Sequence, residues 1–178
     1  MTIRTFLLAS LLAPALALAA QPADVVTPQR DMTIIKTAQG DITLLHTMIG
    51  MNSAHDVELI SFFKRAASGP AEQIAFEQNG DYNPTLPVRH GADCAMTGVR
   101  VLQDGKRLRV VYASRKGDWF DKKPFNFSVF ELTAEEGGMP GTPSLYFAEK
   151  SRVVSKTAYC DAGMALDKEA ALYRGGAN

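Results

Sequence analysis

The sequence has no excess of charge of either sign, because 19 lysine and arginine residues balance 19 aspartate and glutamate residues. Proteins that bind nucleic acid or the surface of a membrane usually carry a basic excess. The balance therefore argues against both classes of partner. Apolar residues make up 46% of the 178 positions, which is typical of one globular domain with a sizeable core.

Histidine is also scarce, with three residues, and no two of them form a His-x-x-x-His pair or lie in a dense group of carboxylates. Zinc sites are commonly built from such groupings. Residues 79–83 likewise lack the ladder of acidic side chains that a calcium-binding loop needs. The sequence therefore predicts no metal site, and we expect no cofactor.

Long hydrophobic runs are absent apart from one at the start of the chain. Arg4 supplies a positive charge, residues 6–18 are mostly apolar, and Ala17-Leu-Ala19 is a small-x-small cleavage site. The run is too short and wrongly flanked for a membrane-spanning helix. We predict a secretory signal peptide over residues 1–20 and a single β-rich domain over residues 21–178. The mature protein is expected to be soluble in a bacterial periplasm.

Cysteine occurs twice, at Cys94 and Cys160. In an oxidising compartment an even pair indicates a disulfide. This bond would close a loop of about 67 residues, which the chain-entropy model equates with roughly 4 kcal/mol of stability. The alternative is a free catalytic thiol, which would need a nearby histidine and a reducing environment, and the sequence indicates neither.

Residues 94–133 contain three apolar-alternating runs with turn residues between them, the pattern of an antiparallel sheet. Asp104 and Gly105 predict a hairpin, because glycine accepts the positive φ of a type I′ turn. In the last run, Phe127 points to one face and Phe130 to the other. Both faces are partly apolar, so this strand is predicted to be central in a covered sheet.

The remaining segments extend the β-rich pattern and end in a helix. Strands are predicted over residues 32–37, 42–49, 55–65, 72–77 and 145–155, and irregular chain over 21–30, 78–92 and 135–143. Residues 55–65 could also be helical, but their β-branched and aromatic content favours a strand. One helix is predicted over residues 158–173, with Asp161 as its N-cap and Gly175 as its stop. The predicted fold is mainly β, an antiparallel sandwich or barrel-like sheet of about eight strands with one C-terminal helix.

Ser61 and Lys64 match the Ser-x-x-Lys motif of serine β-lactamases and penicillin-binding proteins. The motif requires both side chains on one face of a helix, so that the amine can take the hydroxyl proton. In a strand, residues three apart point to opposite faces. The companion Ser-Asp-Asn and Lys-Thr-Gly motifs are also missing from the sequence. We interpret the match as chance and predict that the protein is not an enzyme.

Several segments resemble the carbapenem self-resistance proteins, small periplasmic proteins that guard carbapenem-producing bacteria. They are Asn-Ser-Ala-His-Asp-Val-Glu-Leu-Ile-Ser-Phe-Phe at 52–63, Gly-Ala-Asp-Cys at 91–94, Asp-Lys-Lys-Pro-Phe-Asn-Phe-Ser-Val-Phe-Glu-Leu at 121–132, Gly-Met-Pro-Gly-Thr-Pro-Ser-Leu-Tyr-Phe at 138–147 and Tyr-Cys-Asp at 159–161. The sequence departs from that family over residues 78–89, where the family is more acidic and richer in glycine.

The resemblance implies a β-rich fold that protects without hydrolysing the drug, by binding it or by shielding its target. The predicted function is therefore that of a periplasmic, non-enzymatic protective or binding protein with a β-lactam as its ligand. The alternative is an inhibitor or interaction module for a cell-wall enzyme, in which case the partner is a protein.

A ligand site for such a carboxylate needs a cation, hydrogen-bond donors and an aromatic wall. Lys116 and Trp119 supply the first and last of these in the charged loop over residues 115–123. Asn52 and His55 supply polar groups in a turn that the resemblance marks as a family feature. Loops gather at the two ends of a sandwich, so we predict that these four residues meet at one end. The alternative is that Asn52 and His55 only fix the turn and Trp119 only caps the core.

Overall fold

The computed structural model describes residues 23–28, 31–53, 55–91 and 94–174. The predicted signal peptide over residues 1–20 and the predicted helix stop at Gly175 lie outside these ranges. Within them the chain forms a mainly β fold, in which one sheet curls into a half-barrel and a short helical segment ends the described chain.

The described residues form eleven strands and two short helices. They are β1 Asp24–Val26, β2 Asp31–Thr37, β3 Gly40–Ile49, β4 Val57–Lys64, β5 Glu72–Gln78, β6 Asp81–Asn83, β7 Leu86–Arg89, β8 Thr97–Asp104, β9 Arg107–Ser114, β10 Asn126–Ala134, β11 Leu145–Val154, α1 Ala162–Lys168 and α2 Ala171–Arg174. The strand order is β1-β8-β9-β10-β11-β5-β4-β3-β2, with β6 beside β5 and β7 beside β4. Neighbouring strands are antiparallel except for β11 and β5, which are parallel.

The main local predictions are confirmed. The β8–β9 hairpin forms as expected, with a φ of 56° at Gly105 in its turn, and β2 and β3 also pair as a hairpin. The segment predicted at residues 55–65 is the strand β4, not a helix. Mainly β architecture, a barrel-like sheet and a C-terminal helix were all predictable from residue patterns.

Two stretches that we predicted to be irregular contain strands. The predicted loop at residues 78–92 holds β6 and β7, and the lead-in at 21–30 holds β1, which raises the strand number from about eight to eleven. Pro87 made β7 look irregular, because proline cannot donate a ladder hydrogen bond. Within the described part of the chain β7 pairs with β4 on one side alone, so the missing donor costs it little.

The predicted helix over residues 158–173 is shorter than expected and divided in two. Residues 158–160 are not helical, because Tyr159 pairs with Lys123 in an isolated bridge. Asp161 is the N-cap as predicted, with its Oδ1 accepting a 2.9 Å hydrogen bond from the Met164 amide. A second bond of 3.1 Å from the Ala95 amide to Oδ2 joins the start of α1 to the chain before β8.

The sheet has a separate apolar core on each face. The inner core fills the half-barrel and includes the aromatic rings of Phe62, Phe76, Phe130 and Phe147. The outer core lies between β8–β10 and the helices, and it contains Phe127. β10 contributes Phe127 to one core and Phe130 to the other, so its predicted central position is confirmed.

The disulfide between Cys94 and Cys160 is also present, with 5.4 Å between the two Cα atoms. It joins the residue three positions before β8 to the residue before the N-cap of α1. No helix in the described part of the chain has both the length and the apolar character needed to cross a lipid bilayer.

Candidate functional site

The predicted binding loop over residues 115–123 is held in place by one buried arginine. Arg115 is 4% exposed and donates hydrogen bonds to the carbonyls of Cys160 at 3.1 Å, Asp118 at 2.8 Å and Trp119 at 3.2 Å. Its guanidinium carbon also lies 5.8 Å from the ring centroid of Phe125. A charged side chain is stable at this depth because several acceptors surround it. The loop that carries Trp119 is therefore anchored to the disulfide region.

Trp119 and His55 are in contact, as the sequence predicts for a shared end of the sheet. Their ring centroids are 5.1 Å apart and the planes are tilted by 45°. The Trp119 ring also packs on the backbone of Gly91, where an added Cβ would lie 2.4 Å from Cε3 of the indole. The glycine is thus required by the close approach of the ring. A ligand role for the pair stays a prediction.

Asn52 and Lys116 complete the predicted set, and both are exposed. Asn52 has a φ of 53°, a left-handed conformation that asparagine tolerates better than most residues. The turn around it is closed by a 2.9 Å hydrogen bond from the Met51 amide to Oδ1 of Asp56. The left-handed backbone conformation therefore accounts for an asparagine at this position of the turn. Binding by Asn52 or Lys116 also stays a prediction.

Replacing Gly91 with alanine is expected to displace Trp119 and to destabilise the protein by about 1–3 kcal/mol, the usual cost of overpacking. The added methyl group would overlap both the indole and the Cys94 carbonyl, which lies 2.7 Å from the Cβ position. Tryptophan fluorescence reports the displacement directly, since Trp119 is the only tryptophan. Gly50→Ala is the matched control, because nothing lies within 4 Å of its Cβ position. Equal stability and spectra for the two variants would contradict this packing account.

A second candidate site lies where β7 runs beside β8 without a strand ladder between them. Among the described residues, isolated hydrogen bonds cross this junction, including Thr97 Oγ1 to the Pro87 carbonyl at 2.9 Å and the Met96 amide to the Arg89 carbonyl at 3.2 Å. The Tyr112 hydroxyl also donates to the Pro87 carbonyl at 3.1 Å, and burial raises the pKa of Tyr112. Because no strand ladder joins β7 and β8, a cleft of about 400 Å³ lies between them. We call it the seam cleft, and its wall includes Glu58, His90, Thr97, Arg100 and Asp161.

A carboxylate held between two imidazoles lines the inner wall of the seam cleft. Nε2 of His46 lies 3.0 Å from Oε2 of Glu58, and Nε2 of His90 lies 2.8 Å from Oε1. β3 supplies His46, β4 supplies Glu58, and His90 directly follows β7. The described residues contain no group of three histidine, cysteine, aspartate or glutamate side chains arranged to hold a metal ion. The two hydrogen bonds join these three side chains into one cluster.

A positively charged side chain, Arg100, also lines the cleft, on the face of β8 that meets α1. Arg100 on β8 pairs with Asp167 of α1, with 2.5 Å between Nη2 and Oδ1. Gly98 lets the helix approach this strand, because a Cβ there would lie 3.0 Å from the methyl group of Ala162. The lining also includes the apolar residues Ile60, Val88, Val99, Val101 and Leu166. The cleft is thus lined by charged, polar and apolar residues from both faces of the sheet.

The His46–Glu58–His90 cluster was not predicted, although a signal for it exists in the sequence. In a strand, alternate residues share a face, and Glu58 alternates with the buried Ile60 and Phe62. A carboxylate on an apolar face needs hydrogen-bond partners. His46 similarly alternates with the buried Leu44 on β3. These patterns indicate that partners are required but not which residues meet.

Ser61 and Lys64 both lie on β4, three positions apart, so their side chains point to opposite faces of the sheet. Ser61 is 6% exposed. The arrangement differs from the single helix face that the Ser-x-x-Lys chemistry requires.

Comparison with known proteins gives a structural likeness. No protein-family model matches the chain, and no curated protein matches it in sequence. A solved structure described as the crystal structure of CarG is similar, with a TM-score of 0.71 and 16% sequence identity. The likeness covers 82% of this chain and 94% of CarG. At this identity the likeness establishes a shared fold.

Proposed function

We propose that the protein is a periplasmic, non-enzymatic protective protein that binds a carbapenem-type ligand. The observation that carries the proposal is the meeting of the segments that resemble the carbapenem self-resistance proteins. Residues 52–63 and 91–94 meet at Trp119, which contacts His55 and packs on Gly91. Residues 91–94 and 159–161 meet at the disulfide between Cys94 and Cys160.

Residues 121–132 join the same region through their backbone. The amide of Lys123 donates to the carbonyl of Tyr159 at 3.1 Å, and the Tyr159 amide donates back at 3.0 Å. Residues from four segments that are far apart in the sequence are thus linked by these contacts. The fold shared with CarG supports the β-rich architecture that the family resemblance implies.

Expression of the full chain in a carbapenem-sensitive bacterium is expected to raise the lowest imipenem concentration that stops growth. A chain without residues 2–20 is the matched control, because it should remain in the cytoplasm and give no protection. Imipenem in the culture medium should persist as long as it does with an empty vector, since the proposed protection involves no hydrolysis. Unchanged sensitivity, or accelerated loss of the drug, would contradict the proposal.

The second candidate is an inhibitor or interaction module for a cell-wall enzyme, and an exposed apolar face on β2 and β3 favours it. Met32, Ile34 and Ile49 are 54%, 60% and 48% exposed. Met32 is paired with Leu45 and Ile34 with Thr43, so these side chains share the face of the sheet opposite the inner core. A cell-wall enzyme that co-purifies from periplasm at one-to-one stoichiometry would favour this alternative over the binding of a drug.

A further inference from the structure

We propose that a cleft between α2 and the sheet binds a compact organic carboxylate, whose negative group is held at Arg109. We call it the α2 cleft, and its volume is about 280 Å³. Its charged lining residues are Arg107, Arg109, Glu131 and Lys150. Neither His55 nor Trp119 is among its described lining residues, so this site is separate from that pair and its ligand does not depend on the proposed function.

The charged groups of the α2 cleft lie on one face of the sheet, the face that carries the outer core. On β9, Arg109 alternates with Leu108 and Val110 of the inner core, so its side chain points to the opposite face. Glu131 on β10 is directly opposite Arg109 in the ladder and therefore shares that face. The Arg109 guanidinium donates to the Tyr173 carbonyl at 3.3 Å, which places α2 over the same surface.

Arg109 is a buried cation without a negative partner among the described residues. Its side chain is 6% exposed, and it forms no ion pair with any described residue. Nη1 and Nη2 donate to the carbonyls of Tyr173 and Arg174, both at 3.3 Å, and the buried Nε has no partner in the described chain. Burial of a charge is costly unless an opposite charge and hydrogen bonds compensate it. A ligand carboxylate in the cleft would supply the missing charge.

Glu131 does not fill this role, although it is the cross-strand neighbour of Arg109. Its Oε2 lies 2.8 Å from Nη2 of Arg107 and its Oε1 lies 3.3 Å from Nε of the same side chain, so both oxygens bind Arg107. Lys150 adds a further cation, which leaves three positive side chains against one negative side chain in the described lining. No histidine is among these residues, so the balance does not depend on imidazole protonation. The lining therefore favours an anion.

The apolar part of the lining indicates an organic anion. Val129, Val153 and Leu172 line the cleft beside the charged groups, and all three belong to the outer core or pack against it. Ligand pockets usually enclose roughly 300–1,000 Å³, so a volume of about 280 Å³ limits the ligand to a small molecule. A carboxylate attached to a compact apolar body satisfies both parts of this lining, whereas inorganic phosphate satisfies only the charged part.

The test is titration of isotope-labelled full-length protein with benzoate, followed by NMR amide shifts. Benzamide has the same ring without the charge, and inorganic phosphate has the charge without the ring. We expect benzoate to shift signals from β9, β10 and α2 in a saturable way, and the other two compounds to bind at least about tenfold more weakly. Equal binding of benzamide or of phosphate would contradict the proposed site.

Two lining variants should change benzoate affinity in opposite directions. Lys150→Gln removes an exposed cation and should weaken binding about two- to fivefold. Glu131→Gln removes the one negative side chain of the described lining and should tighten binding about two- to fivefold. A gain in affinity cannot result from damage to the fold. Arg109→Gln should weaken binding about tenfold or more, and the other two variants keep the test decisive if loss of Arg109 prevents folding.

Arg152→Gln is the matched control, because Arg152 pairs with Glu149 and is not in the described lining. It should leave benzoate affinity unchanged. A variant that ends at Arg174 should bind benzoate as the full chain does. Much tighter binding by that variant would mean that residues 175–178 compete for the cleft, and it would overturn the proposal. Unchanged affinity in both Lys150→Gln and Glu131→Gln would also overturn it, while the proposed function would stand, since imipenem binding and protection are measured separately.

Discussion

Reduction of the Cys94–Cys160 disulfide is expected to lower the free energy of unfolding by about 4 kcal/mol. The bond joins residues 66 positions apart, so its loss greatly increases the freedom of the unfolded chain. Denaturant unfolding of oxidised and reduced protein measures the difference. The Cys94→Ser/Cys160→Ser double variant should be destabilised to a similar extent and should not respond to reductant.

The structural position of the bond gives the same experiment a second readout. Cys160 accepts a hydrogen bond from Arg115 through its carbonyl, and Arg115 also holds Trp119. Reduction should therefore change the fluorescence of Trp119 before global unfolding. A loss of less than about 1 kcal/mol, the scale of a single ordinary hydrogen bond, would contradict a major stabilising role for the disulfide.

Substitution of Phe76 by alanine is expected to cost about 3–5 kcal/mol, the usual penalty for removing a buried aromatic ring. The Phe76 ring is stacked on Phe147 at 4.8 Å and meets Phe130 edge-on at 5.3 Å between centroids. It is 1% exposed and lies on β5, which pairs in parallel with β11. The substitution would therefore leave a cavity beside the pairing of β5 with β11, which joins two parts of the sheet.

Phe120→Ala is the matched control for this prediction, because the same change is made in a side chain that is 78% exposed. Its effect should stay within about 0.5 kcal/mol. Chemical denaturation of both variants gives the two values under identical conditions. Similar losses for the two phenylalanines would contradict the assignment of Phe76 to the centre of the inner core.

Local sequence patterns were sufficient to predict most of the strands and the hairpin at Gly105. The alternation of Phe127 and Phe130 predicted a strand with two covered faces, and Asp104 with Gly105 predicted its neighbouring hairpin. These features depend on residues close together in the chain. Short strands such as β6 and β7 were missed because three or four residues, one of them Pro87, give too little periodicity.

Of the features of the two candidate sites, only the contact between two loops could be predicted from the sequence. His55 and Trp119 were expected to meet because loops cluster at the ends of a sheet, and the structure brings them together. The contact of Glu58 with His90, 32 positions away, depends on how β7 pairs with β4. β7 lay in the stretch predicted to be irregular, so the seam cleft between β7 and β8 was not predictable.

The central claim is that the protein binds a carbapenem without consuming it. Calorimetric titration of wild-type protein with imipenem, followed by chromatography of the released drug, tests this claim most directly. We predict saturable binding at one ligand per chain and full recovery of intact imipenem. Absence of binding heat over a range of conditions, or recovery of ring-opened drug, would contradict the claim.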